Sequence, residues 1–322
     1  MRFAIVGAGA IGGYLGACLA RAGFDVTLIA RGPHLAAMLS HGLRILEDDG
    51  TSLTTHPACT DRLDAIASAE TIFVTLKAHS LPAIAPALAS AAGKHSTFVF
   101  AQNGVPWWFF LSSGDAAHLE SVDPGGVIAS SFPVEHVLGC VAYPATTLVE
   151  PGVVRHIEGN RFSLGELDGA RSERVRALSS ALMQAGLKAP VQTRLRQEIW
   201  LKLLGNATLN PVSALTRATL SELMDDEISR DLLRRLMLEV EAVGQAYGLQ
   251  ADLSVDRRLA GAARVGEHRT SMLQDAEAGR PLEIEALVGS VLEMARRRNV
   301  PTPALEVVYQ LTRQLDRSLC RV

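Results

Sequence analysis

Short β-branched and aromatic runs alternate with alanine-rich stretches through the first half of the chain. These runs lie at 3–6, 26–29, 71–76 and 97–100. Each predicts a buried strand, and the alanine-rich stretches between them favour helices. Strands that alternate with helices are typical of βαβ units in a parallel sheet. Further short strands are predicted within 137–149, 153–157 and 162–164, with an antiparallel character.

The second half of the chain has helical periodicity instead. Apolar residues recur at 3.6-residue spacing in four stretches, at 195–209, 228–247, 282–298 and 305–319. Charged residues also become denser, and glycine sparser, after about residue 190. With 322 residues, the chain exceeds the size at which one hydrophobic core stops growing. We therefore predict an α/β domain of residues 1–190 followed by an all-α helical domain of residues 191–322.

A glycine-rich turn follows the first predicted strand and opens the first predicted helix, at 14–22. Its residues are Gly7, Ala8, Gly9, Ala10, Ile11 and Gly12. Such glycines let the backbone turn tightly and approach a pyrophosphate, whose charge rests on helix N–H groups. In this context the GxGxxG pattern predicts that residues 1–190 form a Rossmann-type dinucleotide-binding domain. A tight turn that binds no ligand is the alternative.

The end of the second predicted strand bears on the choice of dinucleotide. NAD-binding folds usually place an acid there, about 20 residues after the glycines, to bind the ribose 2′-hydroxyl. In this chain the run from Val26 to Ala30 is followed directly by Arg31, and no acid stands there. A guanidinium at this point would pair with a 2′-phosphate, which predicts NADPH. The alternative is a solvent-exposed arginine at a strand end.

Three polar residues lie along one face of a predicted helix in the second half. Lys202, Asn206 and Asn210 are spaced i, i+4 and i+8, which places them on one helical stripe. Asparagine is a poor residue for a helix interior, so two on one stripe need a reason. Either the face is exposed, with Glu198 and Lys202 as an i, i+4 ion pair, or it lines a cleft that meets a substrate.

Two further residues are candidates for chemistry. Ser271 begins an S-x-x-Q pattern, which has the form of a capping box. Ser271 is predicted as a helix cap, and a cap hydroxyl beside free helix N–H groups can also form part of a carboxylate site, so the two interpretations are compatible. Glu283 follows Pro281 and is predicted in the first turn of the next helix, where the macrodipole favours an acid.

Composition excludes several classes of protein. Apolar residues make up 48% of the chain and charged residues 20%, which excludes a disordered chain. A net charge of −3 gives no footprint for nucleic acid or an anionic membrane, and no run suits a membrane span. The four cysteines are far apart, and the histidines lack paired ligand spacing. We expect a reduced, metal-free, cytoplasmic protein.

Taken together, these residues resemble the ketopantoate reductase (2-dehydropantoate 2-reductase) family over nearly the whole chain. The motifs that carry the resemblance are GAGAIG at 7–12, IAR at 29–31, LKA at 76–78, QNG at 102–104, KLLGNATLNP at 202–211 and TSMLQDAEAGRPLEIEAL at 270–287. The last two are the most specific, because they combine spacing and residue type far from the nucleotide motif.

The resemblance implies an NADPH-dependent reduction of a 2-keto acid, foremost 2-dehydropantoate to pantoate in pantothenate biosynthesis. It implies Lys202 as the catalytic general acid and Glu283 as a second catalytic residue. It assigns substrate binding to Asn103, Asn206, Asn210 and Ser271. It assigns cofactor binding to Gly7, Ala8, Gly9, Ala10, Ile11, Gly12, Arg31, Lys77, Asn103 and Ala145. The alanine- and leucine-rich helical domain leaves room for a homodimer.

The chain departs from the family pattern in three places, which leaves the identity of the keto acid open. The stretch after Asn210 and Pro211 lacks the second polar substrate contact of better-known members. Residues 106–110 place four aromatic side chains directly after QNG, and His268 stands where better-known members have asparagine. The run Trp107–Phe110 either shapes the substrate pocket or packs in a core. The alternatives to a 2-dehydropantoate reductase are a reductase of another 2-keto or imino acid on the same fold and a non-catalytic NADPH-binding sensor.

Overall fold

The computed structural model describes residues 1–111, 118–250, 254–264 and 266–320, which form two compact units. Unit 1 comprises residues 1–102, 108–118 and 125–195, and unit 2 comprises residues 103–107, 119–124 and 196–322. The first is α/β and the second is helical. The predicted fold class, a Rossmann-type domain followed by an all-α domain, is confirmed.

Unit 1 contains eleven strands in its described residues. They are β1 (Arg2–Val6), β2 (Asp25–Ile29), β3 (Leu43–Leu46), β4 (Ser52–Thr55), β5 (Ala58–Thr60), β6 (Thr71–Val74), β7 (Thr97–Phe100), β8 (Val137–Ala142), β9 (Ala145–Glu150), β10 (Val153–Glu158) and β11 (Phe162–Gly165). Seven strands form one sheet in the order β11-β8-β7-β6-β1-β2-β5. Every neighbouring pair is parallel except β8 and β11, which confirms the predicted antiparallel ending.

A second sheet, in the order β4-β3-β10-β9, was not predicted from the sequence. In it β3 pairs parallel with β10, while β4 and β9 pair antiparallel with their neighbours. The strands β3, β4 and β5 are short and partly polar, so no apolar run marks them. The single predicted stretch 137–149 is divided at Tyr143 and Pro144 into β8 and β9, which belong to different sheets.

The described residues of unit 1 contain five α-helices: α1 (Ala10–Arg21), α2 (Gly32–His41), α3 (Leu81–Ala91), α4 (Val127–Ser131) and α5 (Glu173–Gln184). The helix α1 buries Leu15 and Leu19 completely in the core of the unit. This core also contains Ile5 of β1 and Leu28 of β2, neither of which is exposed to solvent. Burial of such side chains contributes about 1.5–3 kcal/mol each, which fixes α1 directly behind the glycine turn.

Unit 2 is built on seven α-helices in its described residues. They are α6 (Leu195–Thr216, which begins at the last residue of unit 1), α7 (Leu220–Asp225), α8 (Glu227–Gln245), α9 (Val255–Ala263), α10 (Ser271–Glu277), α11 (Ser290–Arg297) and α12 (Pro303–Leu319). A π-helical turn, Glu285–Gly289, precedes α11. The four predicted helical stretches are present, but α6 continues through Pro211 to Thr216. Within the described ranges, no helix is both long and apolar enough to cross a bilayer.

Candidate active site

A cavity of about 450 Å³ lies in unit 1 at the carboxyl ends of β1, β2 and β6. It is lined by Val6, Gly7, Ala8, Gly9, Ile29, Ala30, Arg31, His34, Leu63, Thr75, Leu76, Lys77, Ser80, Ile84 and Leu148. Ligands of open parallel sheets bind outside the carboxyl ends of the strands, and small-molecule sites occupy roughly 300–1,000 Å³. The cavity therefore has the position and size of a nucleotide site.

The glycine turn forms one wall of this cavity. Gly7, Ala8 and Gly9 line it, whereas Ala10, Ile11 and Gly12 form the first turn of α1, where amides lack intrahelical acceptors. A Cβ on Gly12 would lie 2.4 Å from Oγ1 of Thr75 and 2.5 Å from the carbonyl oxygen of Gly7. The Thr75 hydroxyl donates to that carbonyl at 2.8 Å. Glycine at position 12 is thus required for the close approach of α1 to the end of β6.

Two predicted cationic residues line the cavity. Arg31 is exposed and occupies the extended position immediately before α2. Lys77 is half-buried and follows the end of β6. The side chain of Gln102 donates to the carbonyl oxygens of Val74 and Leu76 at 2.9 and 3.3 Å, which holds the chain just before Lys77. The wall therefore presents cationic groups from two strand ends.

The predicted cofactor residue Ala145 lies at the start of β9 in the second sheet. Its side chain is half-buried, and Leu148, three residues further along the same strand, lines the cavity. The structure thus brings the strand of Ala145 to the cavity, with Leu148 as the lining residue.

His34 was not identified from the sequence, although it lines the cavity. Its Nε2 lies 2.7 Å from the carbonyl oxygen of Ala8, and its Nδ1 accepts the amide of Gly152 at 2.9 Å. An imidazole that accepts at one nitrogen and donates at the other is neutral. Burial lowers the pKa of His34, against a smaller opposing contribution from the Ala8 carbonyl. Since its partners are 26 and 118 residues away, no local pattern reveals its role.

In unit 2, the predicted polar stripe lies on the continuous helix α6. Lys202 and Asn206 are half-buried, and Asn210 is only 6% exposed. Nζ of Lys202 donates to Oδ1 of Asn103 at 2.8 Å. The structure therefore brings together two predicted site residues that are 99 positions apart, and Lys202 is not a fully exposed surface residue.

The loop that carries Asn103 packs against the segment that follows Glu283. The amide of Val105 donates to the carbonyl oxygen of Ala286 at 2.9 Å. Gly104 has a φ of +88°, and a Cβ there would lie 2.2 Å from the same carbonyl oxygen. Only glycine combines this left-handed backbone with so close an approach. The QNG motif thus places Asn103 between Lys202 and the π-helical turn.

Glu283 is half-buried and lies just before the helical segment that starts at Ile284. Its carbonyl oxygen accepts the amide of Leu287 at 3.1 Å, as the residue that begins a helix does. The predicted place in the first turn is therefore wrong by one position. The turn that follows is π-helical, a form found frequently at functional sites.

The expected capping box at Ser271 is wrong. The cap of α10 is Thr270, whose hydroxyl accepts the amide of Leu273 at 3.2 Å. Gln274 donates through Nε2 to the carbonyl oxygen of Arg269 and so does not complete a box. The reason is that Thr270 is the last extended residue, with ψ of 155°, and Ser271 is already helical and exposed.

The aromatic run Trp107–Phe110 is buried, with each side chain at most 5% exposed. Trp107 belongs to unit 2, and the following three residues belong to unit 1. The indole of Trp108 lies against Gly139 of β8, where a Cβ would approach the ring to 2.5 Å. Phe109 and Phe110 meet edge to face at 5.2 Å. This burial favours core packing over a role in the substrate pocket.

Among the residues that the structure describes, no group of three His, Cys, Asp or Glu side chains could hold a metal ion. None of the four cysteines forms a disulfide bond. The candidate chemical groups of unit 2 are Lys202, Asn103 and their neighbours, and the candidate nucleotide site of unit 1 is the cavity.

Comparison with known proteins finds one family over nearly the whole chain. The family model Ketopantoate reductase PanE/ApbA matches residues 3–169, and the model Ketopantoate reductase PanE/ApbA C terminal matches residues 194–316. A 2-dehydropantoate 2-reductase of Mesorhizobium japonicum is 47% identical over 319 residues, which are 98% of each chain.

Solved structures show the same similarity. A crystal structure of a ketopantoate reductase from Ralstonia solanacearum MolK2 has a TM-score of 0.93 at 40% identity and covers 99% of this chain and 98% of its own. A D-mandelate dehydrogenase with NADH and anilino(oxo)acetate has a TM-score of 0.85 at 21% identity over 99% of this chain and all of its own, a likeness of fold alone. The chain belongs to the ketopantoate reductase family.

Proposed function

We propose that this protein reduces 2-dehydropantoate to pantoate with NADPH, as a step of pantothenate biosynthesis. The observation that carries the proposal is the contact between Lys202 and Asn103 on the polar face of α6. A non-catalytic sensor of the dinucleotide would have no need for a half-buried lysine held in this way. The 47% identity to a 2-dehydropantoate 2-reductase over 98% of both chains supports the choice of keto acid.

We propose residues 1–190 as the dinucleotide-binding domain and residues 191–322 as the domain that supplies the groups for the keto acid. Bound NADPH supplies a hydride to the keto carbon. The donor set of the cavity fits this dinucleotide, since the glycine turn leaves room for a pyrophosphate and Arg31 suits a 2′-phosphate. Lys77, Asn103 and Ala145 are the further cofactor residues of the proposal.

The ammonium of Lys202 is the proposed general acid. It stabilises the negative charge that develops on the carbonyl oxygen of the substrate and then donates a proton to that oxygen. The Asn103 oxygen accepts one of the three ammonium hydrogens, which fixes the position of Nζ. Asn103 thereby orients the acid before the substrate arrives.

The remaining residues of unit 2 bind and orient the keto acid in this proposal. Asn206 and Asn210 follow Lys202 along the stripe and offer amide hydrogen bonds. Ser271, at the first helical position of α10, offers a hydroxyl and a free amide to a carboxylate. Glu283 orients the ammonium and accepts a hydrogen bond from a substrate hydroxyl. Correct orientation alone contributes roughly 7–11 kcal/mol to catalysis.

The test is the Lys202→Ala variant, assayed with NADPH and a panel of 2-keto acids that includes 2-dehydropantoate. We expect kcat to fall by ~10²–10⁴ while the variant folds and binds NADPH. Lys202→Arg should be impaired too, because guanidinium holds its proton more tightly. Lys188→Ala, at an exposed lysine of unit 1, is the matched control and should keep wild-type kcat. Near wild-type turnover by Lys202→Ala would contradict the proposal.

A reducing, cytoplasmic location and a homodimer complete the proposal. Four free and widely separated thiols suit a reducing compartment. Sedimentation of the purified protein tests the dimer, and a single species at the monomer mass of 34.4 kDa would contradict it.

A further inference from the structure

The geometry points to Asp316 of α12 as a positioning residue that fixes the backbone directly before Glu283, while Tyr309 and Arg313 of the same helix hold the side chain of Glu285 after it. This inference rests on the proposed role of Glu283. It adds Asp316 of α12, which is not among the site residues proposed above. Three contacts within unit 2 carry it.

The first contact lies directly before Glu283. Oδ1 of Asp316 accepts the amide of Leu282 at 2.8 Å. Leu282 is 4% exposed and Asp316 is half-buried, so the hydrogen bond is partly shielded from water. A hydrogen bond to a charged acceptor is stronger than one between neutral groups, and an amide left without an acceptor in such a place is costly. Asp316 therefore fixes the backbone at the residue before Glu283.

The second and third contacts lie directly after Glu283. The carboxylate of Glu285 accepts the hydroxyl of Tyr309 at 2.7 Å and lies 3.3 Å from Nε of Arg313. This hydrogen bond and this ion pair hold the side chain at the start of the π-helical turn. Burial, together with the neighbouring Glu285 carboxylate, raises the pKa of Tyr309 to about 12, so its hydroxyl stays a donor at neutral pH.

The three residues of α12 share one helix face. Tyr309, Arg313 and Asp316 are spaced i, i+4 and i+7, which places them on one stripe of α12. These three residues of α12 contact Leu282 and Glu285, which lie on the two sides of Glu283. The helix α12 thus holds the amide of Leu282 directly before Glu283 and the side chain of Glu285 shortly after it.

The π-helical turn explains why the contacts of α12 with Leu282 and Glu285 are needed. A π-helical turn is rare and holds one more residue than an α-helical turn, so the direction of the preceding side chains depends on what stabilises it. A Cβ on Gly289 would lie 2.3 Å from Oε2 of Glu285, so glycine there leaves room for the carboxylate that Tyr309 holds. A misplacement of a catalytic group by about 1 Å can lower the rate 10²-fold. Loss of the hydrogen bond between Asp316 and Leu282 should therefore lower kcat.

The experiment compares Asp316→Ala with Asp316→Asn in the full-length protein, with 2-dehydropantoate and NADPH as substrates. Alanine removes the acceptor of the Leu282 amide, whereas asparagine keeps an acceptor oxygen. We expect Asp316→Ala to lower kcat by ~10–100-fold, with the KM for NADPH within about twofold of wild type. Asp316→Asn should recover most of this loss. The pH profile of kcat should shift only in the alanine variant.

Glu239→Ala is the matched control, because Glu239 makes the same kind of contact elsewhere in unit 2. Its carboxylate accepts the amides of Ala304 and Leu305 at 3.0 and 2.8 Å, at the start of α12. We expect this variant to lose thermal stability as Asp316→Ala does, but to keep wild-type kcat. An equal fall of kcat in both would mean a merely structural role for Asp316 and would overturn the inference.

Two further variants separate this inference from the proposed function. If Glu283→Gln keeps wild-type kcat, the proposed role of Glu283 is wrong, and the positioning role with it. If Glu283→Gln is impaired but Asp316→Ala is not, only the positioning role is wrong. Should Asp316→Ala not fold, Tyr309→Phe removes one hydroxyl from the other side of Glu283, and an unchanged kcat in that variant would overturn the inference.

Discussion

At the scale of single residues, the proposed choice of NADPH rests on Arg31. Its side chain is exposed at the cavity and follows β2. A guanidinium–phosphate contact is charge-assisted, and a loss of about 2 kcal/mol corresponds to more than tenfold in affinity. We expect Arg31→Ala to weaken NADPH binding by at least tenfold and to leave NADH binding nearly unchanged, as measured by fluorescence titration.

The control for Arg31 is Arg234→Ala, at an exposed arginine of α8 in unit 2. It should change the affinity for neither dinucleotide. Equal losses of NADPH and NADH affinity in Arg31→Ala would show that Arg31 does not recognise the 2′-phosphate.

His34 makes the stability of unit 1 depend on pH. Burial lowers the pKa of His34 in the folded chain below the ordinary value of 6.5. Protonation of Nδ1 would place an N–H donor against the amide N–H of Gly152, which now donates to that nitrogen. The unfolded chain therefore binds this proton more readily, so the stabilisation is complete above pH 6.5 and is lost as pH falls below it. We expect the free energy of unfolding to fall between pH 7.5 and 5.5 less steeply in His34→Gln than in wild type. Identical slopes would contradict this role.

Candidate site residues that lie inside linear motifs could be predicted from the sequence, whereas residues whose contacts come from distant parts of the chain could not. Arg31, Asn103 and Lys202 stand inside recognisable patterns, and the structure places the first at the cavity and the other two in contact. His34 and Asp316 carry no such mark, because their partners come from other elements. Ser271 was mistaken for a cap because Thr270, directly before it, offers the same hydroxyl chemistry.

At the scale of elements, α6 contains a glycine that its surroundings do not require. A Cβ on Gly205 would lie 3.8 Å from Cδ1 of Leu209, an ordinary van der Waals distance, with no closer atom among the described residues. Glycine in a helix interior costs roughly 0.5–1 kcal/mol relative to alanine. We expect Gly205→Ala to raise the free energy of unfolding by about this amount, measured as a higher urea midpoint at unchanged slope.

Gly244→Ala on α8 is the matched control for Gly205→Ala. There a Cβ would lie 2.1 Å from Nε1 of Trp200, which is 1% exposed and cannot move aside without repacking α6. The same substitution should therefore destabilise unit 2 by roughly 1–3 kcal/mol, as overpacking of a core does. A Gly205→Ala variant that is destabilised as much would mean that the face of α6 at this residue is not open.

Elements were predictable where their own side chains specify them. The strands β1, β2, β6 and β7 are continuous apolar runs because both faces of a parallel sheet are buried. The helices α7, α9 and α10 have at most nine residues, so an apolar period hardly develops in them. They depend on caps such as Thr219, Ser254 and Thr270, whose hydroxyls accept the amide three residues later.

At the scale of the whole molecule, the two units are interleaved along the chain. The segments 103–107 and 119–124 pack in unit 2 although residues on both sides of them belong to unit 1. Val105 bonds to Ala286, and Glu293 accepts the amides of Glu120 and Ser121 and the hydroxyl of Ser121. A prediction from composition alone gives one boundary near residue 190, because such short segments change neither charge density nor periodicity.

This interleaving predicts how the molecule unfolds. The segments 103–107 and 119–124 of unit 2 are joined at both ends to residues of unit 1. We therefore expect unfolding of unit 1 to disturb these segments of unit 2. We expect a single calorimetric transition, which NADPH at 100 times its Kd stabilises as a whole by about 2.7 kcal/mol. NADH at the same concentration should give a smaller shift, and Arg31→Ala should remove the difference. Two transitions, of which NADPH moves only one, would show instead that the units unfold independently.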